Sequence, residues 1–569
     1  MGKEVAASAE VVKPPESPDD AGATPQTPTG EGAVDSAQTF VRYSAVMSVG
    51  TALSRLTGFL RVAAMAYALG VAESRLADAY NVANTTPNAV YELALGGILA
   101  SVLVPVFVQR LNKDGREAAW HTGRTVLTFA FLVLGAVMVI GIFASSLIIR
   151  AYTFRVHGPE AEAERALASF FLRWFMPQIV FYGLGAGVAT GLLNAHRKFA
   201  APMFAPILNN LIVTATFFIF AAMPGPKGTI AITSAQKYVL AIGTTAGVVV
   251  MSFILWPFLR RLGFRWRWSL DLKDAGFRQI VRLAGWVFVY VLANQIGYLV
   301  VLILAAQRQG GYTAYTSAFI FFQLPYAIFV VSIMTALLPS MSSRWVDRDL
   351  ATFRTLLSQG IRGTAFIVIP AAFGYLALAV PILRLLLQRG VMRPQSTELL
   401  AGVLQFFSLG LFSFCAFQLF LRAFYAMQDT RTPALINLFA VGLNTAVNFL
   451  YYRYLKVEGL ALGHATAYTF AAVMAAFILH RRLGGLEGRR LAPVLGQILV
   501  AGAATGGASW LVARWMSDAV GTASLGPQLL QVGGGLVAGL GTFLIIAMAF
   551  RMPEIRLIKQ TALSRLGRR

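Results

Sequence analysis

The chain is short of charge and nearly without cysteine. Of its 569 residues only 13% are charged and 57% are hydrophobic, whereas ordinary soluble domains run at about 25% charged. That balance excludes a water-soluble globular enzyme. The single cysteine, Cys415, excludes a disulfide within the chain and any thiolate-rich metal centre, and the five histidines stand at no metal-ligand spacing. No phosphate-binding loop, Ser/His/Asp set or pair of carboxylates occurs, so nothing points to an enzyme or an ATP-driven pump, and no metal or other cofactor is expected.

What is present is apolar sequence in long runs. A helix of about 20 residues crosses a bilayer. Fourteen segments of that length fill the chain, at 39–68, 79–108, 124–150, 167–193, 202–223, 237–259, 280–305, 312–341, 358–388, 399–427, 433–454, 459–480, 492–513 and 526–550. The expected fold class is therefore all-α, a polytopic membrane protein with about fourteen transmembrane helices. The net charge of +23 does not indicate nucleic acid, because it is laid out by topology. The connections on one side carry about twice the Lys and Arg of those on the other; RRLGFRWRW at 260–268 and RRLGGLEGRR at 481–490 belong to the richer side. This puts the basic side and both termini in the cytoplasm, facing anionic lipid heads. Residues 1–37, rich in Pro, Ala, Gly and acidic residues, read as a disordered cytoplasmic tail and not as a signal peptide.

The chain also resembles itself at a shift of roughly 230 residues, as parallel repeats do. AYNVANTTPNAVYELALGGILASVLVP from Ala79 answers AYTSAFIFFQLPYAIFVVSIMTALLP from Ala314, and GLLNAHRKFAAP, ending at Pro202, answers RAFYAMQDTRTP, ending at Pro433. The expected organisation is a six-helix lobe at 38–270, a second at 271–485, two extra helices at 486–552 and a basic cytoplasmic tail at 553–569. Two such lobes with a seam between them suit alternating access to a central site.

Polar residues inside the spans carry the functional expectation. Asn81, Asn84, Asn88 and Glu92 recur at i, i+3, i+7 and i+11, which puts them on one helical face running toward Gly96; lipid does not tolerate such a stripe, so it should face a cavity or the bundle interior. Arg55 and Arg61 lie in the first span, where a mid-bilayer arginine costs about 2.5–3.5 kcal/mol or more. Arg55 and Glu92 reach similar depth at 1.5 Å per residue, so they are expected to interact. Arg61 points roughly 120° away on a regular helix unless Gly58 bends it. The two arginines read either as buried ion-pair staples or as ligands of a transported anion, for which the guanidinium fork suits phosphate. Asp78, at the outer start of the second span, reads as a helix cap. In the second half Asn294, Gln295, Gln323, Asn437, Asn444 and Asn448 supply amides, and His464 reads as a hydrogen-bonded core histidine. Gly183, Gly187 and Gly191 read as close helix packing.

SVGTALSRLTGFLR, DAYNVANTTPN, GGILASVLVPVF and RAFYAMQDTRTPALINLF together resemble the MurJ (MviN) family of lipid II flippases, in the multidrug/oligosaccharidyl-lipid/polysaccharide exporter superfamily, over essentially residues 40–550. The resemblance implies a two-lobed bundle with a cationic central cavity and a C-terminal helix pair forming a groove for a polyprenyl tail. It also implies translocation of the undecaprenyl-diphosphate-linked peptidoglycan precursor, lipid II, across the bacterial cytoplasmic (inner) membrane. Ser54, Arg55, Arg61 and Asp78 match family positions important for function, and with Asn81, Asn84, Asn88 and Glu92 they form the expected substrate site. The chain departs from the family at Val62, where many members have Asp, at Tyr91 and near Ile320, where many have Arg, and at Leu95, Gly96 and Gly97, where many have Ala-Glu-Gly. These changes leave fewer fixed cations for a headgroup. The expected partners are the lipid-linked precursor, membrane lipids and other cell-wall synthesis proteins. Two alternatives stand beside this reading: export of another lipid-linked oligosaccharide or amphiphile, and a non-transporting membrane scaffold for cell-wall enzymes.

Overall fold

A computed structural model of the chain describes residues 30–92 and 102–555, with the side chains of 30–49, 285–290 and 489–490 left aside. Residues 1–29 of the tail read as disordered, Leu95, Gly96 and Gly97, and the basic tail from 556 onward lie outside the described residues. The chain divides into one unit through Val49 and a second from Gly50. Within the first, the described residues are helical from Gly30, the start of α1 (Gly30–Leu69). That helix begins before residue 37, the expected end of the tail. EGAVDSAQTF contains no proline to stop it.

From Gly50 onward the described chain is helix and short connection, with no strand. After α1 come α2 (Leu76–Tyr91), α3 (Val104–Lys113), α4 (Gly115–Phe143), α5 (Ser145–Tyr152), α6 (Ala161–Phe175), α7 (Gln178–Phe181) and α8 (Thr190–Ala195). Then follow α9 (Ala200–Ala222), α10 (Ser234–Phe253), α11 (Trp256–Arg261), α12 (Ala275–Ala305), α13 (Gly311–Pro325) and α14 (Val331–Val346). The last are α15 (Leu350–Leu387), α16 (Pro394–Ser408), α17 (Leu411–Ala426), α18 (Arg431–Leu483), α19 (Gly488–Val520) and α20 (Leu525–Ala549). An apolar chain that must satisfy its own backbone in lipid has helix as its open-chain solution.

Among the described residues nine helices are long and apolar enough to cross a membrane, or ten if α16 and α17, bent by 48°, form one span. Length and apolarity alone therefore do not reproduce the expected fourteen. One reason is α18, a 53-residue helix holding two expected segments, 433–454 and 459–480. It is not continuous: Lys456 has φ 53° and ψ −128°. Gly459 packs on the Tyr451 carbonyl and Gly463 on the Asn448 side-chain oxygen, so the two halves fold back on each other as a tight hairpin. A second reason is that the 79–108 segment falls partly outside the described residues.

The two matching segments meet in space. Asp78 and Thr313, each immediately before an Ala-Tyr pair, are hydrogen-bonded to one another, so the repeat brings equivalent helix N-termini of α2 and α13 together. The glycine-rich stretch near 183–191 does serve close packing. It includes a π-helical turn, Tyr182–Ala189, in which Gly185 lies against Ser252 of α10 while Ser252 Oγ donates to the Phe181 carbonyl at 2.7 Å. At the C-terminal end α19 and α20 pack on each other and on α15. Small residues make the approach possible: Gly502 and Gly506 face Phe373, and Ser509 Oγ donates to the Gly535 carbonyl at 2.9 Å.

Candidate functional site

Two cavities lie against α1 and share Arg61 as a lining residue. The first, about 550 Å³, is lined on α2 by Asn81, Asn84 and Asn88, with Glu92 just beyond the helix end, and on α1 by Arg61. The i, i+3, i+7, i+11 stripe thus faces one cavity from a single helix face. Across from it stand the amides Asn294, Gln295, Asn437 and Asn444, with Asn437 Nδ2 donating to Asn294 Oδ1 at 3.2 Å. The second cavity, about 410 Å³, is lined by Ser54, Arg55, Gly58 and Arg61 on α1, Asn210 on α9 and Gln323 on α13. Asn210 Nδ2 donates to the Ser54 carbonyl and to Thr57 Oγ1, both at 3.2 Å. Those bonds fix which face of α1 the cavity sees.

The structure answers several expectations differently. Arg55 and Glu92 line different cavities and form no ion pair; depth along two helices says nothing about the direction in which each side chain points. Arg61 reaches both cavities from an α1 that remains helical through Gly58, so no bend is needed. Asp78 lines neither cavity. It is fully buried and accepts hydrogen bonds from Gly310 N at 2.7 Å, Thr313 N at 2.9 Å and Thr313 Oγ1 at 2.7 Å. Asp78 is therefore a cap, but of α13 rather than of its own helix, and it requires Gly310, which adopts φ 73° against Ala72. His464 lines the first cavity inside a box of Phe319, Phe322, Phe407, Phe414 and Tyr468, and its Nε2 has no hydrogen-bond partner among the described residues.

Other residues went unread in the sequence. Asn209 and Tyr80 line the first cavity, and Tyr80 is bonded to Thr244 at 2.8 Å. The Asn-Asn pair inside an apolar span was the available signal. Around Asp78, distant segments are clasped together. Arg75 Nη1 pairs with Glu164 Oε2 at 2.8 Å, both side chains buried, and also donates to the Ala306 carbonyl at the end of α12. Glu73 accepts from the Val71, Ala72 and Arg393 amides and from Ser396 Oγ. Asn81 Nδ2 donates to Thr313 Oγ1 at 3.0 Å.

Three positions at which the sequence departs from the resemblance lie at or beside the cavities. Tyr91 packs on Tyr182, ring centroids 4.8 Å apart, Val62 is a buried wall residue of the first cavity, and Ile320 lines both cavities. The family model for Lipid II flippase MurJ matches residues 65–530. The chain belongs to the MurJ family of lipid II flippases. Among similar members, a probable lipid II flippase MurJ from Rhizobium meliloti (strain 1021) is 26% identical over 526 residues, covering 92% of this chain and 96% of that protein. A lipid II flippase MurJ from Burkholderia cenocepacia is 26% identical over 418 residues, covering 72% and 78%. In fold, the chain is similar to a solved lipid II flippase MurJ in an inward closed conformation, with TM-score 0.73, 20% identity, and 90% and 100% of the two chains covered. A multidrug resistance MATE family transporter in an inward-facing conformation follows at TM-score 0.63 and 15% identity. This MurJ family member is thus a multi-pass bacterial membrane protein built on a transporter fold.

Proposed function

We propose that this chain carries lipid II, the undecaprenyl-diphosphate-linked peptidoglycan precursor, from the cytoplasmic to the outer leaflet of the bacterial cytoplasmic membrane by alternating access. The observation that carries the reading is Arg61, which lines both cavities. A fixed cation there can hold a diphosphate bidentately as the headgroup passes from the Arg55 side into the amide-lined cavity. Asn81, Asn84 and Asn88 then offer donors and acceptors to sugar and peptide, and Glu92 an acceptor for amines. The polyprenyl tail stays in lipid against α19 and α20. The basic face and both termini lie in the cytoplasm, and the clasp around Asp78, Arg75 and Glu73 is the outer seal. Rocking of the 38–270 lobe against the 271–485 lobe parts that seal and releases the headgroup outside. No covalent bond is made or broken, so the chain acts as a transporter and not as an enzyme.

Export of a cationic amphiphile fits less well, because among the described residues the cavity wall offers one carboxylate, Glu92, beside many amides. A scaffold gives Arg61 no task that repays its cost in the membrane. The test is outward translocation of lipid II in cells depleted of their own flippase and supplied with this protein. Wild type is expected to restore it. Arg61→Ala at matched membrane levels is expected to lose about tenfold or more, the equivalent of one charge-assisted contact. A well-expressed wild type that leaves lipid II inside overturns the flippase reading; an active Arg61→Ala overturns the role of the arginine.

A further inference from the structure

Away from both cavities, the connection between α11 and α12 lies along α4. Its register is set by hydrogen bonds. Arg116 donates to the Leu262 carbonyl, Arg124 Nε to the Arg265 carbonyl at 3.0 Å, and Ser269 N to Thr128 Oγ1 at 3.3 Å. Trp266 stacks on Trp256, centroids 5.7 Å apart, and Trp266 and Trp268 both meet Phe131 of α4, at 5.9 and 5.3 Å. Trp268, Leu270 and Leu272 keep 65%, 51% and 50% of their surface exposed.

Charge surrounds this apolar strip. Arg260, Arg261, Arg265 and Arg267 are exposed, and none enters an ion pair among the described residues. The neighbouring carboxylates are already occupied: Glu117 by Arg124, Asp271 by His121 and Asp274 by Arg110. The depth is informative too. Arg265 is level with Arg124, where the expected third span begins. The indoles sit level with Phe131, about 10 Å further along α4 at 1.5 Å per residue. Guanidinium groups at the polar edge with indoles one to two turns deeper is the arrangement that meets phosphate heads and acyl boundary together.

We propose that Arg260, Arg261, Arg265 and Arg267, together with the Trp266–Trp268 platform, form a binding site for the phosphate headgroup of an anionic phospholipid at the basic membrane surface. The site lies on the connection between the two proposed lobes, so a lipid held there bears on the segment that links them.

Full-length protein is reconstituted in phosphatidylcholine vesicles in which a fixed fraction of either phosphatidylglycerol or phosphatidylcholine carries brominated acyl chains, and tryptophan fluorescence is read. Brominated phosphatidylglycerol is expected to quench more strongly than brominated phosphatidylcholine at the same fraction. Trp268→Phe should shrink the difference, which locates it, and R265Q/R267Q should lower the preference about fivefold or more. R260Q/R261Q, in which exposed side chains at the end of α11 are changed, serves as a second variant should the first fold poorly. Equal quenching by the two lipids in the wild type, or a preference untouched in folded R265Q/R267Q and R260Q/R261Q, overturns the site.

Discussion

Arg75 and Glu164 form a pair whose cost and benefit can be stated. Both side chains are withdrawn from solvent, with 9% and 0% exposure, and Glu164 Oε1 has no further partner among the described residues. Removing one partner of such a pair leaves a buried charge uncompensated, at about 3–5 kcal/mol. Arg75→Met is therefore expected to lower the thermal unfolding temperature of the purified protein markedly. A variant as stable as wild type contradicts the pairing. Asp78→Ala removes three accepted hydrogen bonds at the start of α13 and is expected to cost about 2 kcal/mol or more, again read by thermal unfolding. Neither pairing was legible in the sequence. Glu164 lies 89 residues from Arg75, and Asp78 could be read as a cap only for the helix it begins, because its real acceptor role spans 232 residues. The stripe Asn81, Asn84, Asn88, Glu92 was legible because helical periodicity alone aligns its members, and they do line one cavity. The Arg55–Glu92 pairing failed because span depth carries no azimuth.

Individual elements depend on small residues and on caps in the connections. The hairpin within α18 closes where Gly463 lies against Asn448. Gly463→Leu has no room and is expected to reduce membrane levels of folded protein, measured by size-exclusion after extraction; a normal yield contradicts the close approach. The start of α18 is held by Asp429, which accepts from Thr432 N at 2.9 Å and Thr432 Oγ1 at 2.6 Å and pairs with Arg482. Partial burial pushes its carboxyl up, but the Thr432 bonds and Arg482 outweigh that and leave it below the usual carboxylate range. A carboxyl lowered in the folded state contributes stability that is present above its unfolded pKa, about 3.9, and is lost as pH falls through the folded value. Backbone hydrogen exchange at 429–432, taken relative to the intrinsic rate, should therefore stay slow at neutral pH and rise only below about pH 4. Asp429→Asn should raise it at neutral pH and remove the acid dependence. The sequence read apolar runs correctly as helices, since backbone satisfaction in lipid leaves little else. It separated the two halves of α18, which the non-helical backbone at Lys456 divides.

At the scale of the molecule, the internal match at a shift of roughly 230 residues has a physical expression: equivalent ends of α2 and α13 bond through Asp78 and Thr313. Family membership and fold follow from long apolar segments and short ordered motifs, which a sequence carries in full. The clasp does not, because it joins connections whose packing depends on every helix between them. Alternating access requires this clasp to open, and one measurement tests that directly. Ala72 N is bonded to Ser396 Oγ at 2.9 Å, and the native thiol, Cys415, is buried in α17. In a Cys415→Ala background, Ala72→Cys with Ser396→Cys is oxidised to a disulfide, and lipid II translocation is compared before and after reduction. The account predicts that the reduced protein translocates, that the oxidised protein does not, and that reductant restores activity. Translocation by fully cross-linked protein at the reduced protein's rate would contradict it.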